Sequence, residues 1–173
     1  ILDIGVAGGE LAKLYLSNQN FTGLDISSEM INKAKSRIPN GNFIKSDGEN
    51  LSFQNDSFDL VVLSEVLFYM SNPIKCLTET HRVLKPGKRL IIFSRNQFWH
   101  KFDWFRKLIG IGPTDDLLNK MFYEHELVEM TIKAKFQEIE AETFCFVPFR
   151  KFRFFDNTPL KKYGHLIFLH AKK

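Results

Sequence analysis

The sequence has 173 residues and contains no apolar run near the roughly 18 residues that a membrane-spanning helix requires. Its longest apolar stretches, at 60–63 and 166–169, have the length of strands. The first residues also lack the basic and then apolar pattern of a secretion signal. We therefore expect no membrane span and a cytoplasmic location.

Cysteine and histidine residues are few and are not grouped. The chain has two cysteines, Cys76 and Cys145, and five histidines. Neither set has the spacing of zinc ligands, and the cysteines do not form the pattern of a disulfide framework. We therefore expect reduced thiols and no metal site.

Aromatic residues and excess charge are scarce in the first half of the chain. Only 7 of the 24 aromatic residues precede residue 90, and 10 basic residues balance 10 acidic ones there. Residues 90–173 hold the other 17 aromatic residues and carry the whole net charge of +4. This asymmetry indicates a neutral scaffold followed by a segment adapted to a particular partner.

The first 94 residues alternate between strand-like and helix-like segments. The pattern predicts strands at 1–4, 21–26, 42–46, 58–63 and 89–94, and helices at 10–16, 29–37 and 74–84. Ser27 and Ser28 are good N-cap residues for the second helix, and Pro86-Gly87 is expected to end the third. Such alternation is typical of βαβ units and therefore of a parallel sheet with helices on both faces.

The alternation of strand-like and helix-like segments ends after residue 94. The pattern predicts a helix at 124–135 and strands at 138–147 and 163–171. The segment between these two strands has no helical period, and a parallel crossover usually needs a helix. We therefore expect an antiparallel C-terminal hairpin and one domain over 1–173, with a cofactor half at 1–94 and an acceptor side at 95–173. Because the chain opens inside a strand, we also expect upstream helices to be missing.

A glycine-rich turn joins the first strand to the first helix, in the pattern D-I-G-V-A-G-G. Such a turn lets a ligand approach the backbone closely. Glu10 stands where the dinucleotide fingerprint requires its third glycine, which argues against a nicotinamide-dependent oxidoreductase. Asp25, at the end of the second strand, is placed to accept hydrogen bonds from both hydroxyls of a ribose.

Six motifs in the right order make residues 1–94 resemble the class I S-adenosylmethionine-dependent methyltransferases, and most of all the small-molecule group of quinone-biosynthesis C-methyltransferases. The matching segments are 1–9, 23–27, 46–51, 56–61, 64–67 and 82–87. The resemblance covers a little over half the chain. It implies a Rossmann-like α/β fold with a mostly parallel seven-stranded sheet, and S-adenosylmethionine as cofactor.

The resemblance also implies roles for particular residues. The amino-acid end of the cofactor would lie against Asp3, Gly5, Val6, Ala7 and Gly9. Ala7 stands where the family usually has glycine. The ribose would bind Asp25.

The remaining cofactor contacts are implied in the same way. Residues expected around the adenine are Ile26, Met30, Asp47, Gly48 and Glu49, with Asp47 accepting from the amino group. Ser64 and Glu65 would line the floor below the sulfonium.

The acceptor is expected to be a small apolar or aromatic molecule. The aromatic residues expected to form its pocket are Trp99, Phe102, Trp104, Phe105, Phe144, Phe146, Phe149, Phe152, Phe154 and Phe155. Alternatively, these rings fill a core between the insertion and the sheet. No residue has a strong claim to be a general base, and the weak candidates are Glu65, Tyr69 and His100.

Two other functions stay open at this point. The basic second half suggests an RNA or protein methyltransferase. The basic and aromatic cluster at 150–155 resembles a nucleic-acid surface only in composition, so we do not expect a nucleic-acid partner. The other is a non-catalytic module that binds S-adenosylmethionine.

Overall fold

A computed structural model of the chain describes residues 1–15, 20–98, 121–144, 164 and 166–173. Within these residues there are seven strands: β1 (Leu2–Ile4), β2 (Thr22–Asp25), β3 (Asn42–Lys45), β4 (Phe58–Ser64), β5 (Leu84–Arg95), β6 (Gln137–Phe144) and β7 (Leu166–Lys172). The same residues form four α-helices: α1 (Ala12–Tyr15), α2 (Ser28–Arg37), α3 (Pro73–Val83) and α4 (Glu124–Lys133). A short 3-10 helix spans Leu67–Tyr69.

The strands form one sheet in the order β3-β2-β1-β4-β5-β7-β6. The pairs from β3 to β5 are parallel, whereas β7 pairs antiparallel with both β5 and β6. This confirms the predicted α/β fold and its antiparallel C-terminal hairpin. The chain runs outward from β1 in one direction and from β4 in the other, so the topological switch point lies between these two strands.

Side chains that alternate along the strands pack into two large hydrophobic cores, one on each face of the sheet. The larger core packs α3 and α4 against β1, β4, β5 and β7, and includes Leu63, Leu77, Ile92, Leu127 and Leu169. The smaller core packs α1 and α2 against the other face, through Val6, Ala12, Phe21, Ile31, Ala34 and Phe43. The predicted helices on both faces are therefore present.

The predicted start of the fifth strand was wrong. The third helix ends at Val83, one residue before the predicted end, but β5 begins directly at Leu84 instead of at Arg89. Leu84 is fully buried and pairs with Phe58, whereas Arg89 pairs with Leu60, so residues 85–88 bulge out of the ladder. Burial of Leu84 in the sheet outweighs the local signals, and the proline and glycine lie in the bulge.

Local capping explains why α2 starts where it was predicted. The Ser27 Oγ accepts a hydrogen bond from the Met30 N–H at 3.3 Å, which satisfies one of the free donors of the first turn. Glu29 and Lys33 form an i,i+4 ion pair on the exposed face. Ile31 and Ala34 are the buried side chains that fix the helix against the sheet.

The sequence predicts no membrane span and no metal site, and the described residues bear on both predictions. Among their helices, none has the length and apolarity needed to cross a bilayer. Within the same part of the chain, no group of three histidine, cysteine or acidic residues has the geometry of a metal site.

Cys76 is fully buried, and this burial raises the pKa of its thiol to about 12.

One arginine on α3 holds the long loop between β3 and β4. Arg82 donates through Nη2 to the Leu51 carbonyl at 2.8 Å and through Nη1 to the Phe53 carbonyl at 2.7 Å. Its Nε and Nη2 also bond both oxygens of Glu79, at 2.9 and 2.7 Å. Glu79 Oε2 in turn accepts the Leu51 N–H at 3.0 Å. The planar fork of an arginine is needed to reach all these acceptors together.

We expect Arg82→Lys to lower the free energy of unfolding by about 1–3 kcal/mol, because one ammonium cannot replace these bonds. Urea denaturation at pH 7 measures the loss, with Arg89→Lys, which changes an exposed arginine, as the control. Hydrogen bonding to Arg82 holds the pKa of Glu79 below its usual range. The pair therefore stabilises the fold at neutral pH. The difference in unfolding free energy between the wild type and Arg82→Lys should shrink below about pH 4, where Glu79 becomes protonated. Equal stability of Arg82→Lys and Arg89→Lys would contradict this role.

Candidate cofactor-binding cleft

A cleft of about 390 Å³ lies at the carboxyl ends of β1 and β4. This is the switch point of the sheet, where open α/β folds bind their ligands. The residues that line it are Asp3, Gly5, Val6, Ala7, Glu10, Leu11, Ser64, Glu65, Phe93 and Leu166. Six of these, from the first strand, the glycine-rich turn and the end of β4, were predicted from the sequence to surround the cofactor.

The glycine-rich turn is anchored to β2 by its backbone. The N–H groups of Gly5 and Val6 both donate to the Leu24 carbonyl, at 2.8 and 2.9 Å. Gly5 has φ of +80°, and a Cβ there would lie 2.4 Å from Val66 Cγ2. Ala7 also adopts a left-handed conformation, with φ of +47°. The turn thus combines strained backbone with a close approach to its neighbours, which is common at ligand sites.

Asp25 fastens this turn to the end of β2. Its Oδ2 accepts the Ala7 N–H at 3.0 Å, and its Oδ1 accepts the Ser27 N–H at 2.8 Å. Each carboxylate oxygen can accept a second hydrogen bond. The side chain is therefore held in one orientation while keeping acceptor capacity for a pair of hydroxyls.

An apolar side chain stands in solvent beside Asp25. Ile26 is 71% exposed, although it follows directly on a buried strand. Met30, one turn further along, is half-buried. Together they form an apolar edge next to the carboxylate, which is the arrangement that a ribose carrying a flat base requires.

The loop after β3 places Asp47, Gly48 and Glu49. Asp47 accepts the Glu49 N–H and the Asn50 side-chain amide, both at 2.8 Å, and these bonds lower the pKa of its carboxyl below the usual range. Gly48 is buried against Ile4. Glu49 accepts the N–H of Asn72 at 3.0 Å and so ties the loop to the start of α3. Asp47 and Glu49 therefore also have structural partners.

Glu65 is the most unusual residue at the end of β4. Its φ of +51° lies in the left-handed region, and its N–H donates to the Phe93 carbonyl at 2.9 Å. Its Oε2 accepts both the Nε and the Nη2 of Arg95, at 3.2 and 2.9 Å. The carboxylate is thus paired with a cation that was not predicted at this site.

The other predicted residues lie away from the cleft or outside the described residues. Gly9 faces α2, where a Cβ would lie 3.4 Å from the Ala34 Cβ. Tyr69 is half-exposed on the 3-10 helix and contacts Phe68. His100 is outside the described residues, as are all the predicted acceptor aromatics except Phe144, which is half-buried at the end of β6.

Sequence reasoning missed five residues of the cleft and its rim: Glu10, Leu11, Phe93, Leu166 and Arg95. Phe93 and Arg95 reach the site because β5 lies next to β4, and Leu166 reaches it because β7 pairs with β5, where Leu166 stands opposite Arg95. A cue existed only for Glu10 and Leu11, which follow directly on the glycine-rich turn.

Comparison with known proteins agrees with this geometry. Residues 2–92 match the model of the methyltransferase domain family. Demethylmenaquinone methyltransferase of Thermotoga maritima is 36% identical over 97 residues, which cover 54% of this chain and 42% of that protein. Uncharacterized protein MJ1123 of Methanocaldococcus jannaschii is 31% identical over 156 residues, 81% of this chain and 65% of that protein. The chain thus spans about half the length of the curated relatives it matches.

A solved structure shows the same fold over nearly the whole chain. An S-adenosylmethionine-dependent methyltransferase of Thermotoga maritima superimposes with a TM-score of 0.78, covering 99% of this chain and 81% of that one at 20% identity. The family model covers more than half of the chain. The chain therefore belongs to the methyltransferase domain family, whose cofactor is S-adenosylmethionine.

Proposed function

We propose that this domain binds S-adenosylmethionine across the carboxyl ends of β3, β2, β1 and β4 and transfers its methyl group to a small apolar or aromatic acceptor. The observation that carries the proposal is the fixed carboxylate of Asp25 beside the switch-point cleft. Ribose binding at Asp25 fixes the rest of the ligand, because the adenine and the sulfur are attached to opposite ends of the sugar.

The order of the strands supports a cofactor that lies along the edge of the sheet, with its adenine toward β3 and its sulfur toward β4. Asp47 follows β3, Asp25 ends β2, and the cleft lies between β1 and β4. Neighbouring strands are about 4.8 Å apart, so the adenine, ribose and methionine parts would follow one another along the edge of the sheet. The adenine would lie over Ile26 and Met30, and the sulfonium would lie near Ser64 and Glu65.

The residues present fit this cofactor. Asp25 keeps free acceptor capacity on both oxygens, and the exposed Ile26 offers an apolar surface next to it. A cleft of about 390 Å³ is within the usual range for small-molecule sites. The left-handed backbone at Gly5 keeps the turn close to the end of β1, where the amino-acid part would lie.

When bound, S-adenosylmethionine supplies an activated methyl group on a positively charged sulfur. The task of the protein is then to orient the acceptor in line with that group and to exclude water, and orientation alone can supply up to roughly 7–11 kcal/mol. Phe93 and Leu166 give the cleft apolar walls on the side of β5 and β7, and Leu11 adds an apolar side chain next to the glycine-rich turn. These walls favour a flat apolar acceptor over a polar one.

The acceptor class is supported by the relatives as well as by these walls. One relative is named as a demethylmenaquinone methyltransferase. The aromatic residues at 99–105 and 146–155, which we predict to complete the pocket, lie outside the described residues.

Transfer of a labelled methyl group tests the proposal. The protein is incubated with S-adenosylmethionine carrying a radioactive methyl group and, separately, with a reduced demethylated naphthoquinone, with RNA and with a denatured protein. We expect label to enter the naphthoquinol, and Asp25→Asn to reduce the rate. Label in RNA or protein alone would contradict a small-molecule acceptor, and cofactor binding without transfer to any of the three would favour a non-catalytic module.

A further inference from the structure

The cleft is acidic on its described walls. Asp3, Glu10 and Glu65 line it, and no basic residue belongs to the lining that the structure describes. The partners of two of these acids stand outside the cleft: Arg37 pairs with Glu10, and Arg95 pairs with Glu65. The carboxylates therefore line the cleft, whereas their guanidinium partners do not.

Glu65 differs from the other two acids in its position. Asp3 is buried within β1, and Glu10 lies on the glycine-rich turn with most of its side chain exposed. Glu65 directly follows β4 and shares the cleft with Phe93 and Leu166. In the binding mode proposed above, it is the acid beside the sulfonium.

The orientation of Glu65 is fixed at two points. Its backbone is held in a left-handed conformation by the bond to the Phe93 carbonyl, and Arg95 bonds only one carboxylate oxygen, Oε2. Oε1 accepts no hydrogen bond from any residue in the described part of the chain. A left-handed conformation at a side chain of this size costs free energy, so it indicates a functional demand on the position.

We propose that Glu65, oriented by Arg95, is the residue by which the cleft distinguishes S-adenosylmethionine from its product S-adenosylhomocysteine. This inference rests on the function proposed above. The two ligands differ by one methyl group and one positive charge, because the sulfonium becomes a neutral thioether when the methyl group leaves. A carboxylate beside the sulfur therefore attracts the substrate and not the product, which favours product release after each turnover.

The test compares three ligands on one variant, Glu65→Gln, which removes the charge and keeps the shape. The ligands are S-adenosylmethionine, S-adenosylhomocysteine and an analogue with an amine in place of the sulfonium. We expect both cationic ligands to lose about three- to tenfold in affinity relative to S-adenosylhomocysteine. The control is Asp59→Asn, which makes the same change at the opposite end of β4, where the acid pairs with Lys85 and Lys88. It should leave all three affinities unchanged.

A second variant, Arg95→Met, should act in the opposite direction. It removes the compensating cation while the backbone of Glu65 stays bonded to Phe93, so the preference for cationic ligands should rise. The inference would be overturned if neither variant changed the ratio of the affinity for the cationic ligands to the affinity for S-adenosylhomocysteine. It would also be overturned if this ratio fell in Arg95→Met. If the wild-type protein binds none of the three ligands, the proposed function itself fails, and this outcome is distinct from an unchanged ratio.

Discussion

Gly5→Ala is expected to lower the free energy of unfolding by about 2–5 kcal/mol and to weaken S-adenosylhomocysteine binding at least tenfold. Two costs add at this position. A non-glycine residue at φ of +80° is strained, and the new Cβ would lie 2.4 Å from Val66 Cγ2 and 2.7 Å from Val66 Cβ. Relief of the contact requires the turn to move away from β4, which displaces the backbone that would hold the amino-acid end of the cofactor.

Gly87→Ala separates the two costs. Gly87 has nearly the same φ, +73°, but a Cβ there would meet nothing within 4 Å. The control should therefore show only the conformational penalty, about 1–2 kcal/mol, and an unchanged dissociation constant. Urea denaturation and calorimetric titration measure both quantities. Similar losses for the two variants would mean that contact with Val66 is unimportant.

Asp25→Asn is expected to weaken S-adenosylhomocysteine binding by about 1–3 kcal/mol, which is roughly 5- to 150-fold. The two carboxylate oxygens accept backbone N–H groups from Ala7 and Ser27. An amide has only one oxygen, so its NH₂ group would face one of these donors. The variant thus loses one anchor of the glycine-rich turn together with the charge that strengthens bonds to the ribose.

The matched control for this substitution is again Asp59→Asn, an acid-to-amide change on an exposed side chain away from the cleft. Its affinity for S-adenosylhomocysteine should equal that of the wild type. A circular dichroism spectrum and a Tm for each variant show whether the fold is kept. Wild-type affinity in a folded Asp25→Asn variant would remove Asp25 from the ribose site.

Much of the fold could be predicted because local and global signals agree. Apolar strands such as 60–63 and 90–93 alternate with helices that carry their own caps, and the serine at 27 caps α2 as expected. The start of β5 at Leu84 instead of Arg89 has a physical cause. Leu84 is fully buried in the sheet, and sequence reasoning has no measure of that burial.

The candidate site was predictable where one short segment builds it. The glycine-rich turn, Asp25 and the end of β4 each carry their signal within a few residues. The pairing of Glu65 with Arg95 was not predictable, since these residues are 30 positions apart and meet only because β4 and β5 are neighbours. The same holds for Phe93, which lies on β5 opposite Ser64, and for Leu166, which the pairing of β7 with β5 brings to the cleft.

The central claim is that the cleft at the switch point binds the nucleoside cofactor of the methyltransferases. Calorimetric titration of the wild-type protein with S-adenosylhomocysteine and, separately, with NAD tests it most directly. We predict saturable one-to-one binding of S-adenosylhomocysteine and no measurable heat with NAD, because Glu10 stands where a dinucleotide turn needs glycine. Tight binding of NAD with no binding of S-adenosylhomocysteine would contradict the account.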